Sequence, residues 1–208
     1  MNNEIPEIIL ASKSPRRYAI LKQIGINFTV AVSDIEENHE EFSEPADAVI
    51  TLSQRKAESV AKGSDKGLVI GADTLVVLDK KILGKPLNKK SAANMLKALS
   101  GRTHSVYTGI TLIKDRNITK SDFEKTEVTF RNIDDWEIEA YIKTGAPFDK
   151  AGAYGIQDHS AVFIKKIQGC FYNVVGFPVV KFYEMLRDMY PNEILIKILD
   201  WNDEGIGK

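Results

Sequence analysis

Residues 68–83 read LVIGADTLVVLDKKIL. The apolar run Leu68–Ile70 predicts a buried strand, because a strand covered on both faces shows no polar alternation. We expect it to end at the small-residue turn 71–74, after which Leu75–Leu78 continues as strand. The turn at 79–81 and the apolar pair behind it predict a β-hairpin.

The segments before residue 68 predict helices and one further strand. A helix is expected from Pro45 to about Ala61, where apolar residues recur at helical spacing. Nearer the N-terminus, Ile8–Leu10 predicts a strand and residues 16–24 predict a helix. Ser14 suits the cap of that helix and Pro15 its first position, where a missing N–H has no partner to lose.

The segments after residue 83 continue this alternation. A helix is predicted over Ser91–Leu99, and the capping-box pair Asp134 and Glu137 predicts another that ends before Gly145. The remaining expected elements are strands near 105–113, 161–167 and 172–175 and a helix after Pro178. We assign no element to the segment from Pro191. Alternating helices and strands predict an α/β fold with helices packed on a sheet.

Composition and charge exclude several classes of protein. The 208 residues include 28 basic and 29 acidic ones, a net charge of -1, so any anion site must be local and binding to nucleic acid is not expected. Cys170 is the only cysteine, which excludes an intramolecular disulfide and favours a reducing compartment. Neither a membrane span nor a secretory signal is recognisable. We therefore expect a cytoplasmic protein that does not bind a membrane.

The segment Ser12-Lys-Ser-Pro-Arg-Arg17 lies between a predicted strand and a helix start. Free backbone N–H groups, the positive end of the helix dipole, hydroxyls and guanidinium groups are the donors that a phosphate group needs. The alternative is a capped helix whose two arginines are simply solvated.

Three charged side chains stand out further along the chain. Asp73 follows an apolar strand, and a carboxylate at the rim of a sheet is typical of active sites in α/β folds; the alternative is a turn residue that bonds its own backbone. Lys85, one hairpin later, could bring a cation back beside it. Lys56 falls inside the apolar stripe of its helix, so it either snorkels to the edge or meets an anion.

Other candidates are weaker when taken singly. The pairs Glu36-Glu37 and Asp149-Lys150 are candidates for charge pairing or metal binding. In Gly152–Gln157 two glycines flank a tyrosine, and the Gln157 amide offers a donor and an acceptor that could read a base edge or merely belong to a turn. The three histidines lack the spacing of a metal site, and we interpret them as structural or exposed: His39, His104 and His159.

These candidates belong to a set of segments that occur in a fixed order along the chain. The set consists of Leu10–Arg17, Lys56-Ala57, Gly71–Thr74, Gly84–Pro86, Leu99–Gly101, His104, Asp149–Gln157 and Val175–Pro178. Through these segments the sequence resembles the Maf family of nucleoside triphosphate pyrophosphatases, over about residues 8–180. The resemblance implies an elongated two-lobed α/β fold, with a twisted mixed β-sheet flanked by helices and a deep central cleft. It also implies one domain over residues 1–208 and a homodimer.

The resemblance implies cleavage of a nucleoside triphosphate between its α- and β-phosphates, giving the monophosphate and pyrophosphate. A divalent cation, Mg²⁺ or Mn²⁺, is the implied cofactor. Asp73 is implied as the catalytic proton acceptor that prepares water for attack, and Glu37 with Asp73 as the metal ligands. The phosphate-binding residues implied by position are Ser12, Arg16, Arg17, Lys56 and Lys85.

Substrate choice within the family is expected to follow three positions. The branch that acts on dTTP and UTP resembles this chain at Arg16, Thr74 and Gln157, which implies a house-cleaning enzyme for these and modified pyrimidine nucleotides. The sister branch that acts on 7-methyl-GTP has an extra aromatic residue before the arginines, which this chain lacks. Asp158-His159 departs from the small residues common in the family and adds an anion near the expected base pocket. The alternatives are a 7-methyl-GTP pyrophosphatase and a nucleotide-binding regulator of septum formation in cell division.

Overall fold

The computed structural model describes residues 5–39, 41–63 and 66–200. Within these ranges a mixed sheet of seven strands forms the centre of the protein. The strands are β1 (Ile8–Leu10), β2 (Thr29–Val30), β3 (Leu68–Leu78), β4 (Lys81–Leu83), β5 (Thr103–Lys114), β6 (Ile118–Phe130) and β7 (Ile164–Gln168). The α-helices are α1 (Pro15–Gln23), α2 (Pro45–Ala61), α3 (Lys89–Leu99), α4 (Asp135–Lys143), α5 (Phe171–Val175), α6 (Val179–Met189) and α7 (Asn192–Ile198).

The order of the strands leaves part of one edge of β3 without a partner strand. The order is β2-β1-β3-β5-β6-β7, with β1 parallel to both of its neighbours and β3, β5, β6 and β7 antiparallel in turn. On the edge of β3 away from β5, β1 pairs with residues 68–70 and β4 pairs with residues 76–78. Residues 71–75 thus have no strand partner at this edge among the described residues, which leaves room for a cleft.

Helices cover both faces of the sheet. One face packs against α2, and the other carries the two largest apolar clusters. The first cluster joins β1 and parts of β3 and β5 to α1, α6 and α7, whereas the second joins the far end of β3 and parts of β5 and β6 to α3 and α4. The prediction of an α/β fold with a mixed sheet flanked by helices is confirmed. No helix in the described part of the chain is both long and apolar enough to cross a membrane.

The small residues at 71–74 do not form a turn, so the predicted break in the strand is wrong. Strand β3 runs without interruption from Leu68 to Leu78. Helix α2 crosses β3 and β5 here so closely that a Cβ on Gly71 would overlap the carbonyl oxygen of Ser53, and one on Gly109 that of Val49. Glycine is therefore required by the approach of the helix rather than by a change of chain direction.

This close approach predicts a loss of stability for Gly109→Ala. A methyl group must push Val49 away, and overpacking of this kind costs about 1–3 kcal/mol. We expect the urea midpoint of unfolding to fall accordingly. Gly84→Ala is the matched control, because a Cβ at Gly84 meets nothing within 4 Å. Equal midpoints for the two variants would show that α2 does not press on β5.

Most predicted elements of the N-terminal half are confirmed, and the predictions for the last third need correction. Residues 172–175 form helix α5 instead of a strand, because Gly176, at a φ of 115°, closes one helical turn by donating to the carbonyl oxygens of Tyr172 and Asn173. The expected strand 161–167 is a 3-10 helix up to Phe163, and only residues 164–168 pair with β6. The valines and aromatic residues of these segments suit strands, but local turn geometry outweighs that propensity.

His104 is 2% exposed and packs edge-to-face against Phe130 and Tyr154 of the second apolar cluster. Its Nε2 atom lies 2.7 Å from the Tyr154 hydroxyl, and burial lowers the pKa of His104 from 6.5 to about 4. Between these two pH values the unfolded chain binds more protons at this residue than the folded chain does. Stability therefore decreases as the pH falls through this interval.

The shift predicts that the free energy of unfolding drops by about 3 kcal/mol between pH 7 and pH 4 because of His104 alone. Urea unfolding at several pH values measures the drop. His104→Gln retains a hydrogen-bonding side chain but does not titrate, so its stability should change less over this interval. A variant with the same pH dependence as the wild type would contradict the assignment.

Candidate active site in the cleft beside β3

A cleft of about 280 Å³ lies where β3 has its free edge. Its lining includes six cationic and three acidic residues, so the cleft carries an excess of three positive charges in a chain whose net charge is -1. These charged residues are Lys13, Arg16, Arg17, Lys56, Lys85 and Lys150, with Glu37, Asp73 and Asp149. The cleft therefore has the local electrostatics of an anion site.

Asp73 lies in the middle of β3, and its side chain points to the face covered by α2. The residue is only 3% exposed, and its Oδ1 atom lies 2.5 Å from the Lys56 ammonium. Lys56 also pairs with Glu37 at 2.7 Å and is itself 6% exposed. Of the two alternatives for Lys56, snorkelling is thus wrong, because the ammonium is buried between two carboxylates.

The surroundings of Asp73 keep its carboxyl group ionised. Burial by itself would raise the pKa of Asp73, but hydrogen bonds from His39 and Lys56 and the charges of Lys56 and Arg17 outweigh it and hold the pKa below its ordinary value. At neutral pH the site therefore presents a carboxylate, which can accept a proton.

Glu37, His39 and Asp73 form a group that could hold a divalent cation. One ligand atom from each lies within 4.8 Å of the others. The two carboxylates suit Mg²⁺ or Mn²⁺, whereas an imidazole nitrogen is more typical of metals such as Zn²⁺, so the fit to the implied metal rests on Glu37 and Asp73. Burial raises the pKa of Glu37, yet Lys56 and Lys85 bring it below its ordinary value, so this ligand is also ionised. The donor set thus fits the implied metal.

His39 is the site residue that sequence analysis missed. Its Nε2 atom lies 3.3 Å from Asp73 Oδ2, so its interpretation as a structural or exposed histidine is incomplete. A signal was available in the spacing Glu37-x-His39, since residues two apart in an extended segment point to the same side. His159 is exposed, in agreement with that interpretation.

Arg17 is buried on the opposite face of the sheet from Asp73. Its guanidinium donates to the Gly176 carbonyl oxygen at 2.9 Å, to the Ser12 hydroxyl at 3.1 Å and to the Thr74 hydroxyl at 3.0 Å. These bonds join α1, β3 and the segment behind α5. As a phosphate ligand, the role expected from sequence, Arg17 would have to exchange them, so in this structure it positions Ser12 and Thr74.

Three further predicted site residues line the cleft closer to solvent. Arg16 binds the Asp149 carboxylate at 2.6 Å, and its side chain is 28% exposed. The Lys85 ammonium lies 3.9 Å from Glu37 and is 61% exposed, so it is available to a ligand. Gln157 is exposed and makes no hydrogen bond with any other described residue. The structure thus brings all the residues predicted for the site around one cleft.

A comparison with protein-family models identifies the chain. The model described as "Maf-like protein" matches residues 7–189. The chain belongs to the Maf family. The expectations from sequence that it resembles this family and is an enzyme of it are confirmed.

Named proteins and solved structures similar to this chain are also found. A Bacillus anthracis protein named dTTP/UTP pyrophosphatase is 46% identical over 182 residues, which cover 87% of this chain and 94% of that protein. A protein of the same name from Bacillus cereus is also 46% identical, with the same coverage. Among solved structures, a HAM1 protein from Coxiella burnetii aligns with 88% of this chain and 99% of its own, with a TM-score of 0.49 and 15% identity.

Proposed function

We propose that this Maf protein hydrolyses dTTP and UTP to the nucleoside monophosphate and pyrophosphate. One observation carries the proposal: an ionised, buried Asp73 faces a cation-rich cleft in a chain that is 46% identical to a protein named dTTP/UTP pyrophosphatase. Modified pyrimidine nucleotides are included in the proposal because the same base edge would be read. The homodimer and the cytoplasmic location stay predictions.

The cations of the cleft are suited to the triphosphate. A triphosphate carries about four negative charges, and a cation at close range attracts one charge by about 4 kcal/mol at an intermediate dielectric, before desolvation is subtracted. Arg16 and Lys85 are accessible from the cleft, and Lys56 lies deeper beside Asp73. The Ser12 hydroxyl, at the start of the loop that leads into α1, adds a donor to this group.

Asp73 supplies the base for the reaction. Its carboxylate takes a proton from a water molecule, the water oxygen bonds to the α-phosphorus, and the bond from that phosphorus to the bridging oxygen breaks to release pyrophosphate. Lys56 stays beside Asp73 and counters the negative charge that grows on the phosphoryl oxygens. A divalent cation held by Glu37, His39 and Asp73 would supply further charge neutralisation of the phosphate groups.

Gln157 is the residue that we propose to give the enzyme its preference for uracil and thymine. A neutral amide can donate to one edge atom of uracil or thymine and accept from the next, whereas a carboxylate could only accept. Thr74 and Arg16 line the same cleft and are proposed as the other two specificity residues.

The test is pyrophosphate release from dTTP, UTP, CTP, dATP, GTP and 7-methyl-GTP, each with Mg²⁺, with Mn²⁺ and with EDTA. We expect turnover of dTTP and UTP with metal and its loss in EDTA. A preference for 7-methyl-GTP would retain the reaction and overturn the specificity. Nucleotide binding without any turnover would favour the regulatory alternative.

A further inference from the structure

The side-chain amide of Gln157, which we propose to contact the base, is positioned only by the backbone of Gln157. Its side chain makes no hydrogen bond with any other described residue, so its position depends on the loop 150–160. That loop consists of one short 3-10 helix at 151–153, a turn in which the Asp158 N–H donates to the Gly155 carbonyl oxygen, and a second 3-10 helix that begins at His159. Loops of this kind need side-chain contacts to adopt one conformation.

Asp158 supplies several of these contacts. Its carboxylate accepts from the Ser160 N–H at 2.8 Å, the Ser160 hydroxyl at 2.6 Å and the Tyr141 hydroxyl at 3.2 Å. It also pairs with the Lys150 ammonium at 3.3 Å. Asp158 does not itself line the cleft, but it follows Gln157 in the chain and pairs with Lys150, both of which do, so the anion expected near the base pocket is present there and is paired. Its charge is matched inside the loop.

Lys150 connects Asp158 to Arg16 through Asp149. Its ammonium donates to the Ala146 carbonyl oxygen and to Asp149 Oδ1, both at 2.6 Å, and the other oxygen of Asp149 binds Arg16. A continuous chain of alternating charges therefore runs from Arg16 at the start of α1 to Asp158 beside Gln157. Arg16, at one end of this chain of charges, is proposed to contact substrate. Asp158, at the other end, is the sequence neighbour of Gln157.

These groups close around Gly155, two residues before Gln157. The Ser160 hydroxyl oxygen accepts from the Gly155 N–H at 2.9 Å and lies 2.9 Å from the Gly155 carbonyl oxygen, while its single proton is donated to Asp158. A Cβ on Gly155 would lie 2.8 Å from Lys150 Cε and 2.9 Å from Asp158 Oδ2. The backbone before Gln157 is thus enclosed by Lys150, Asp158 and Ser160.

We propose that Asp158, Lys150, Ser160 and Tyr141 form a positioning clamp that fixes the backbone at Gln157, and thereby the distance from its amide to the base, which sets the selection of a pyrimidine over the larger purine. The inference rests on the proposed function and adds to it a residue, Asp158, that acts through Gln157 without touching the base. Hydrogen bonds to a base edge are sensitive to displacements of about 1 Å. Loosening the clamp therefore reduces discrimination before it reduces the rate of the chemical step.

The test is a double-mutant cycle between Asp158→Ala and Gln157→Ala, read as the ratio of kcat/KM for UTP to that for GTP. Asp158→Ala is expected to lower this ratio about tenfold, through KM and with kcat changed less than about threefold. In the Gln157→Ala background the same change should have no further effect on the ratio. Asp188→Ala is the matched control, because this carboxylate pairs with Lys120 and does not line the cleft.

Tyr141→Phe removes one hydrogen bond of the clamp and keeps the ring, so it tests the inference if Asp158→Ala does not fold. The ratio of kcat/KM for UTP to that for GTP should also fall in this variant, by a smaller factor than in Asp158→Ala. Equal losses for UTP and GTP would overturn the clamp while leaving the proposed function intact. So would a double variant in which the two single effects on the ratio multiply. A wild-type enzyme without preference for UTP over GTP would overturn the proposed specificity, and the clamp with it.

Discussion

Asp73→Asn is expected to lower kcat for dTTP and UTP by about 10²–10⁴-fold, because general-base assistance is worth about that factor. An amide cannot accept a proton from water at neutral pH. The substitution preserves size, and the amide oxygen can still accept from the Lys56 ammonium, which lies 2.5 Å from Asp73 Oδ1 in the wild type. Single-turnover release of pyrophosphate measures the chemical step directly.

Binding should respond differently from turnover in this variant. Removing one negative charge from the cleft lessens the repulsion of a triphosphate, so the Kd for dTTP should stay equal or decrease. Asp188→Asn is the control for a carboxylate in a surface ion pair, and we expect its kcat to match the wild type. If Asp73→Asn keeps wild-type turnover with unchanged metal dependence, Asp73 is not the base.

The candidate site shows which kinds of residue can be predicted from sequence. Lys56 was identifiable because a charge inside an apolar stripe needs a partner. Asp73 was identifiable as a carboxylate directly after an apolar run, although it lies within β3 and not at the end of a strand as expected. The sequence did not indicate that β3 continues through Asp73. Gly71 is small because α2 approaches it closely, and β3 has no strand partner at one edge over residues 71–75. Neither feature can be recognised from the local sequence.

Contacts between distant segments account for the rest of the difference. Strand β6 was not predicted because its residues 118–127 are mostly polar and only half buried, so they show no hydrophobic periodicity. Helix α5 depends on Asn173, whose buried amide donates to the carbonyl oxygen of Val106 and to the hydroxyl of Thr126. Such contacts join residues more than 40 positions apart, and local patterns carry no information about them.

Lys56→Met is expected to lower kcat/KM for dTTP and UTP by about 10²–10³-fold, the usual effect of removing one preorganised electrostatic group. Methionine fills the space of the buried alkyl chain but leaves Asp73 and Glu37 without the cation that lies 2.5 and 2.7 Å from them. The phosphoryl oxygens lose the same cation. Pyrophosphate release at saturating and at low nucleotide concentration separates the two contributions.

Metal binding by Lys56→Met gives a second measurement, which should change in the direction opposite to activity. Without the ammonium, the carboxylates of Asp73 and Glu37 attract a divalent cation more strongly, so the affinity for Mn²⁺, measured by calorimetry without nucleotide, should rise as activity falls. Lys97→Met is the matched control, since Lys97 pairs with Asp135 on exposed surface. Unchanged activity would mean that Lys56 only neutralises buried carboxylates. A parallel loss of Mn²⁺ binding and stability would mean that the variant disrupts the fold, because a charge effect alone requires activity and metal affinity to move in opposite directions.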